Sequence, residues 1–320
     1  MLQEGMTRIE KEEFGKAVLQ AIYDLDAIAI TPNSALLGIL TEIDELDDLN
    51  NLETMESRRA HFQIPNTTAD DYSERFFEIK PGCRMLAGIR HLSGKKDQPF
   101  VHMFLGFIPT SDDLPRLKEL ALKQFGVFFP KQVSFWLRPS SLLALDLETK
   151  GYAARRYIVG RFSKISKRPL PFGYERITLE KMHGAPDSGG WYEKAYSDFH
   201  SEYPELERWV PITDSKELQR CADDKLLFRV LVDGNHAGLI GGRNEPLLGS
   251  PAVYMTELLL THPFKGQGFA AALQRKFLDS MAPKFELVWG TIDAKNKPST
   301  RTALKIGRAA IRAEFFLPIG

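Results

Sequence analysis

Cysteine is scarce in this sequence, and long apolar runs are missing from it. Only Cys83 and Cys221 occur among 320 residues, with no Cys-x-x-Cys pair, which argues against a disulfide framework and excludes a cysteine-rich zinc site. The seven histidines form no His-Glu-x-x-His motif, and we expect no metal site. No apolar run reaches the roughly 18 residues of a membrane-spanning helix. The first residues, MLQEGMTRIEKEE, are too polar for a signal peptide, so we expect a cytoplasmic protein with no membrane partner.

The sequence also lacks an excess of charge of either sign. Lys and Arg total 42, and so do Asp and Glu, which excludes a globally basic nucleic-acid-binding protein; we expect no nucleic-acid partner. Acidic residues concentrate in 41–56, TEIDELDDLNNLETME. This segment is either a surface for a basic partner or the solvated face of an amphipathic helix, the commoner use of such a run. We expect a monomer or a homodimer.

The length predicts two domains or one large domain, with enough apolar residues (43%) to form a core unaided. Hydrophobic spacing predicts helices in about the first 60 residues, then two series of alternating strands and helices, with a helix over 114–125 in the first series. The stretch 163–173, SKISKRPLPFG, is the predicted linker. The sequence thus predicts an α+β protein with domains at 1–165, which has a helical N-terminus, and at 172–320.

The two series end in the same order of elements: strand, helix, strand containing a Trp, short helix ending at a Gly, strand. The marker residues are Trp136 and Gly151 in the first series and Trp289 and Gly307 in the second. The agreement lies in the pattern and not in residue identity. It indicates a diverged internal duplication.

The segment with the clearest chemistry is 256–278, TELLLTHPFKGQGFAAALQRKFL, where a predicted strand runs through a glycine loop into a helix. Gly266 and Gly268 let the backbone approach a ligand closely. The small residues that follow leave the first helical N–H groups accessible, and a helix start favours phosphate oxygens. Lys265 adds a positive charge. The spacing fits neither a P-loop nor a dinucleotide fingerprint, and a purely structural strand–helix turn is the alternative.

The same segment resembles motif A of the GNAT acyltransferase superfamily, R/Q-x-x-G-x-G/A, which binds the pyrophosphate of acetyl-CoA. Here the motif reads Lys265-x-x-Gly268-x-Ala270, with Lys in place of the usual Arg or Gln. The preceding strand, 256–263, is similar to the E-D-L-x-V-x-P strand of the family, although the link to Lys265 is one residue shorter. The resemblance implies that an acyl-CoA contacts the end of this strand and the loop, at Leu260, Thr261, Lys265, Gly266, Gln267, Gly268, Phe269 and Ala270.

A second stretch, Asn296-Lys-Pro-Ser299-x-x-x-Ala303-x-Lys305-x-Gly307, resembles motif B of the same superfamily, where N-x-x-A/S begins a helix that ends at a Gly. The resemblance covers about 172–320 and implies that Asn296 and Ser299 contact the pantetheine arm of the acyl-CoA; the alternative is that they cap the helix. It also implies the fold: two GNAT-like acyl-CoA N-acyltransferase domains, each a mixed, mostly antiparallel sheet flanked by helices.

The first half resembles a degenerate copy of this domain. Its equivalent of the glycine loop is 109–115, PTSDDLP, in which the glycines are gone. The carboxylates of Asp112 and Asp113 would cap the helix that follows but would repel a phosphate. We therefore expect one acyl-CoA site per chain, in the second half.

The implied reaction is direct attack of a neutral amine on the acyl-CoA thioester in a ternary complex. Glu257 is the predicted general base, because it is one of few acids in an apolar strand and burial would raise the pKa of its carboxyl. The alternative is that Glu257 pairs with an Arg or orders the strand. The Tyr that often serves the family as general acid corresponds to Ala303 here. Either CoA leaves as a thiolate stabilised by the helix start and solvent, or another group donates the proton, for which Tyr254, His262 and Ser299 are the candidates.

The leading hypothesis is an N-acyltransferase, most simply an acetyltransferase that uses acetyl-CoA and acts on a small-molecule amine or amino acid. One alternative is transfer of another acyl group, such as succinyl or a longer chain. A carboxylate-tipped donor would need a cation near the acyl tip, and Arg243 and Arg229 are the residues considered for it. The other alternative is a catalytically inactive acyl-CoA-binding regulator, which the Ala at position 303 supports.

Overall fold

A computed structural model describes residues 6–186, 190–281 and 284–320. The chain forms two compact units, one with the residues up to Arg155 together with Ile311–Gly320, the other with Arg156–Ala310. This division differs from the predicted domains, 1–165 and 172–320, because the last strand of the chain packs in the first unit.

The elements follow the predicted order closely. The α-helices are α1 (Arg8–Ile22), α2 (Pro32–Asp48), α3 (Leu52–Phe62), α4 (Leu114–Phe125), α5 (Leu142–Thr149), α6 (Phe162–Ile165), α7 (Trp191–Glu202), α8 (Ser215–Asp223), α9 (Phe269–Asp279) and α10 (Lys297–Lys305). The strands are β1 (Arg75–Glu78), β2 (Arg84–His91), β3 (Pro99–Leu105), β4 (Gln132–Leu137), β5 (Ala153–Arg161), β6 (Ile177–Lys181), β7 (Leu227–Val232), β8 (Asn235–Asn244), β9 (Ala252–Leu260), β10 (Leu287–Asp293) and β11 (Ala309–Pro318). None of the helices in the described ranges has the length and apolar character needed to cross a bilayer.

The first unit has the sheet order β1-β2-β3-β4-β11. Neighbouring strands are antiparallel except β3 and β4, which are parallel and joined through α4. Alternate residues of β11, namely Ala313, Phe315 and Leu317, are buried in the core of this unit. Burial of this apolar face explains why the last strand of the chain belongs here.

The acidic segment 41–56 lies in the second half of α2 and the first half of α3. Ile43 is buried, and Lys11 of α1 donates hydrogen bonds to the carboxylates of Asp44 and Asp47 at 2.8 and 2.9 Å. This face of the segment is thus packed and paired within the first unit.

The second unit has the sheet order β5-β10-β9-β8-β7-β6. β6, β7, β8 and β9 are successively antiparallel, whereas β9 and β10 are parallel and joined through α9. One face of the sheet packs on α9, and the other packs on α7 and α8. Side chains that alternate along β9 therefore reach two different cores.

The predicted linker, 163–173, packs on the second unit instead. Ile165 at the end of α6 is buried in the core beside α9. The guanidinium of Arg275 on α9 donates to the carbonyl oxygens of Ile165, Ser166 and Arg168 at 2.9–3.0 Å. These bonds fix a stretch whose composition alone indicated a connection.

The two halves of the sequence contain the same order of elements, strand, strand, helix, strand, helix, strand: β2-β3-α4-β4-α5-β5 and β8-β9-α9-β10-α10-β11. The predicted fold class, α+β with mixed, mostly antiparallel sheets flanked by helices, is confirmed. The final strand of each series does not close its own unit, since β5 lies next to β10 and β11 lies next to β4.

Candidate functional site

A cleft of about 670 Å3 opens in the second unit where β9 and β10 separate. The parallel pairing joins residues 287–289 to 252–254, and both strands continue beyond it. The cleft is lined by 255–260 of β9 and 290–293 of β10, together with residues from α7, α9 and α10. It therefore occupies the place of a missing strand between β9 and β10.

The backbone of β9 presents hydrogen-bonding groups to this cleft. The N–H of Thr261 donates to the carbonyl of Ala237 on the β8 side at 2.9 Å. Because alternate residues of an antiparallel strand direct their N–H and C=O groups to opposite sides, those of Leu258 and Leu260 point away from β8. An extended ligand with amide groups can pair with them as a strand would.

One end of the cleft is the start of α9, preceded by the glycine loop. Gly266 and Gly268 have φ of 72° and 87°, the left-handed region that favours glycine. A Cβ at Gly266 would meet no atom within 4 Å, so the loop surface is open. No side chain caps α9, and Gly268, Phe269, Ala270 and Ala271 all line the cleft. The free N–H groups of this helix start suit anionic oxygens.

Lys265 stands beside this helix start. Its side chain is 19% exposed, and its Nζ lies 4.0 Å from a carboxylate oxygen of Glu202 and 5.0 Å from the ring centre of Phe199. The Nζ is buried and has no hydrogen-bond partner in the described part of the chain. Burial lowers the pKa of this amine. A buried, unbonded cation at an uncapped helix start is the arrangement that an incoming phosphate would complete.

Glu257 lies farther along the cleft on the side of α7. Its carboxyl is 6% exposed, and the same oxygen, Oε2, accepts hydrogen bonds from the hydroxyls of Tyr192 and Tyr196 at 2.5 and 2.8 Å. Tyr192 and Tyr196 are one helical turn apart on α7, so both reach the same point. The arrangement leaves a carboxyl group at the cleft wall that is held by neutral donors.

The environment of Glu257 sets its protonation. Burial raises the pKa of this carboxyl above the ordinary value of 4.5, and hydrogen bonds from Tyr192, Tyr196 and Thr213 partly oppose the effect. Burial and the neighbouring carboxylate raise the pKa of both tyrosines, so these remain protonated donors. The group is thus a carboxyl poised to accept a proton at a higher pH than an exposed Glu.

Asn296 and Ser299 line the same cleft from the start of α10. The side-chain oxygen of Asn296 accepts from the N–H of Ser299 at 3.2 Å and so caps this helix. Ala303 on the next turn is fully buried. A Tyr at this position would require the surrounding side chains to move.

The structure separates the remaining predicted residues from the cleft. Tyr254 does not line the cleft, and its hydroxyl hydrogen-bonds at 3.0 Å to Oγ1 of Thr291, which does. His262 begins an exposed turn, and the side chain of Gln267 donates back to the carbonyl of Pro263 at 2.6 Å. Thr261 directs its hydroxyl to Ala237. These residues border the cleft without lining it.

Three residues of the cleft region were not predicted from the sequence. Tyr192 and Tyr196 could have been noticed as an i, i+4 pair, but no local signal ties them to Glu257. Arg308, directly after Gly307, lines the cleft at the point where β9 and β10 separate. Its side chain contacts residues that are distant in the sequence, so no local pattern indicates its role.

In the first unit, an acidic residue stands directly before α4. The carboxylate of Asp113 accepts from the N–H and hydroxyl of Thr110 at 2.9 and 3.0 Å and from Lys80 Nζ at 2.6 Å. These bonds close the turn before α4, and the side chain of Asp113 makes no capping bond to α4 itself. The residue before α4 is thus acidic, whereas the residue before α9 is a glycine.

No protein-family model matches the chain, and the comparison with curated proteins found no match. Solved structures similar to it include a GCN5-related N-acetyltransferase from Sphaerobacter thermophilus, at 16% identity over 82% of this chain and 89% of that one, with a TM-score of 0.43. A tandem GNAT protein from the clavulanic acid biosynthesis pathway matches at 13% identity over 74% and 79%, with a TM-score of 0.39. A GNAT-family acetyltransferase from Colwellia psychrerythraea matches at 11% identity over 84% and 97%, with a TM-score of 0.42.

Proposed function

We propose that this chain is a tandem GNAT-type N-acyltransferase that transfers an acyl group from acyl-CoA to a primary amine of a small molecule or amino acid. The observation that carries the proposal is the arrangement of a single cleft. An anion site lies at one end, unpaired strand groups run along it, and a buried carboxyl lies in its wall.

The residues at the helix start fit the phosphates of CoA. The buried Nζ of Lys265 has no hydrogen-bond partner among the residues that the structure describes, and the open glycine loop leaves room for bulky oxygens. Leu258 and Leu260 then offer backbone groups to the amides of the pantetheine arm. The arm would take the place of the strand missing between β9 and β10, with its thioester directed toward Glu257.

Glu257 is suited to the proton transfer that amide formation requires. It accepts the proton that the amine loses as the amine nitrogen bonds to the thioester carbon. The carbon–sulfur bond breaks, and its electron pair leaves on sulfur. Thiols have a pKa of about 8.5, so a thiolate leaves readily without a general acid. The Ala at position 303 therefore does not prevent turnover.

The test of this proposal is calorimetric titration of the full chain with acetyl-CoA and with CoA. We expect one site per chain, because the negative charge of Asp113 directly before α4 would repel a phosphate in the first unit. Lys265→Glu reverses the charge beside the phosphates and should weaken binding at least about tenfold, which corresponds to about 1.4 kcal/mol. Lys284→Glu is the matched control, since Lys284 is exposed and lies outside the cleft.

Absence of binding to the wild-type chain, or equal losses in both variants, would overturn the proposal. Where binding is found, release of free thiol in the presence of a panel of amines identifies the acceptor. Glu257→Gln should then lower kcat about 100-fold or more while leaving CoA affinity within twofold.

A further inference from the structure

Arg308 is a buried cation at the inner end of the cleft. Its side chain crosses the face of Gly290 on β10, where a Cβ would lie 3.3 Å from Nη2, and only 4% of the residue is exposed. Nη2 donates to the carbonyl of Ile158 at 2.7 Å, and Nη1 donates to Met255 Sδ at 3.2 Å. Nη1 also lies 3.3 Å from Gln274 Oε1. All these acceptors are neutral, and Nε has no partner within the described residues.

The other buried arginines show how unusual this is. Arg275, 6% exposed, pairs with Asp279 at 2.9 Å, and Arg312 pairs with Glu42 at 2.9 Å. For Arg308, no carboxylate lies within ion-pair distance in the parts of the chain that the structure describes. Burial lowers its pKa to about 10. A buried charge without a counterion is costly unless a ligand supplies one.

The position of Arg308 relates it to the acyl end of the donor. The anion site at α9 and the strand separation at Met255 and Gly290 are opposite ends of the cleft. From Leu260 back to Met255 is about 17 Å at 3.3 Å per residue. A donor bound with its phosphates at α9 and its arm along β9 extends toward the strand separation, so the acyl group is the part that reaches Arg308.

We propose that Arg308 binds the distal carboxylate of a short dicarboxylic acyl-CoA, of succinyl type, and thereby selects the acyl group. This inference rests on the proposed function. An acetyl group ends in a methyl and would leave the guanidinium unpaired, whereas a carboxylate accepts charge-assisted hydrogen bonds from it. Arg243 and Arg229 do not serve this role: Arg243 pairs with Glu217 and Glu245, and Arg229 is exposed on β7 outside the cleft.

The experiment compares succinyl-CoA with butyryl-CoA, which has the same number of acyl carbons but ends in a methyl. Titration of the wild-type chain should show at least tenfold tighter binding of succinyl-CoA. Arg308→Gln should reduce this ratio to near one, with CoA itself bound as before. Arg308→Lys keeps the charge and should retain part of the preference. Arg301→Gln removes an exposed cation from the cleft mouth and serves as the control, with an unchanged ratio.

The outcomes separate the two proposals. If CoA binds and the wild-type chain does not prefer succinyl-CoA, the role of Arg308 is refuted while the proposed function stands; this comparison needs no variant. Equal weakening of all donors by Arg308→Gln would likewise refute selection and assign Arg308 to the cleft's architecture. If no CoA species binds, the proposed function fails, and this inference fails with it.

Discussion

Removal of the Tyr196 hydroxyl should raise the pKa of Glu257. The hydroxyl donates to Glu257 Oε2 at 2.8 Å, and it stabilises the ionised carboxylate more than the neutral acid. Burial raises the pKa of this carboxyl, and the tyrosine hydrogen bonds oppose that rise. Tyr196→Phe deletes one of the opposing bonds without adding bulk. The neutral form of Glu257 should therefore persist to higher pH.

The size of the shift follows from the energy of one hydrogen bond to a charged group. Such a bond contributes about 1.5–3 kcal/mol, and one pH unit corresponds to about 1.4 kcal/mol. The second tyrosine and Thr213 remain and compensate in part. We expect an upward shift of about one pH unit in Tyr196→Phe, and a similar shift in Tyr192→Phe.

The assay is a carbon-detected NMR titration of chain labelled at glutamate carboxyl carbons. The resonance of Glu257 is the one lost in Glu257→Gln. This measurement needs neither acyl-CoA nor acceptor. Tyr174→Phe is the control, because the Tyr174 hydroxyl bonds to Asp279 outside the cleft, at 2.8 Å, and its loss should leave Glu257 unchanged. A Glu257 midpoint at or below 4.5 in the wild-type chain, or one that Tyr196→Phe does not move, would refute the reasoning.

Three further predictions concern the helix starts and the motif B helix. Asp113→Ala removes the carboxylate that accepts hydrogen bonds from Thr110 and Lys80. Denaturant unfolding should show that the free energy of unfolding falls by about 1–2 kcal/mol. Burial raises the pKa of Asp113, but the hydrogen bonds from Lys80 and Thr110 outweigh this effect and lower the pKa below 3.8. The wild-type chain should therefore lose this stabilisation as the pH falls through the lowered pKa, and the variant should show no such loss. Gly268→Val places a β-branched residue at φ 87°, so the free energy of unfolding should fall by about 1–2 kcal/mol. Calorimetry should also show weaker CoA binding. Equal stability of the variant and the wild-type chain would contradict the strain argument. Ala303→Tyr inserts a ring at a fully buried site and should destabilise the chain by about 1–3 kcal/mol without raising turnover, whereas a faster enzyme would show that the position can hold a general acid.

Local pattern predicted most of the elements. The helix expected over 114–125 is α4, Leu114–Phe125, because an apolar stripe at helical spacing and a Pro in the first turn define it within the segment. The glycine loop before α9 was also predictable from the sequence, since a left-handed backbone favours Gly at 266 and 268. For the same reason, the anion-binding part of the cleft could be proposed from sequence alone.

The sequence did not indicate which strands pair when they lie far apart in the chain. β5 and β11 both combine apolar residues with charged ones, and nothing within either strand specifies its neighbour. The first unit buries Ala313, Phe315 and Leu317, and this burial determines where β11 lies. The predicted domain boundary consequently differs from the division that the structure shows.

The sequence by itself determined the helices, most strands, the open helix start and the position of a lone acid in an apolar strand. Only the tertiary structure placed Tyr192 and Tyr196 against Glu257 and buried Arg308 among neutral acceptors, with no carboxylate beside it in the described ranges of the chain. The physical reason is that backbone preference and periodicity act over a few neighbouring residues. Burial, by contrast, depends on which distant side chains exclude water from a group. The burial of a carboxyl or a guanidinium group decides whether that group becomes reactive or binds a ligand.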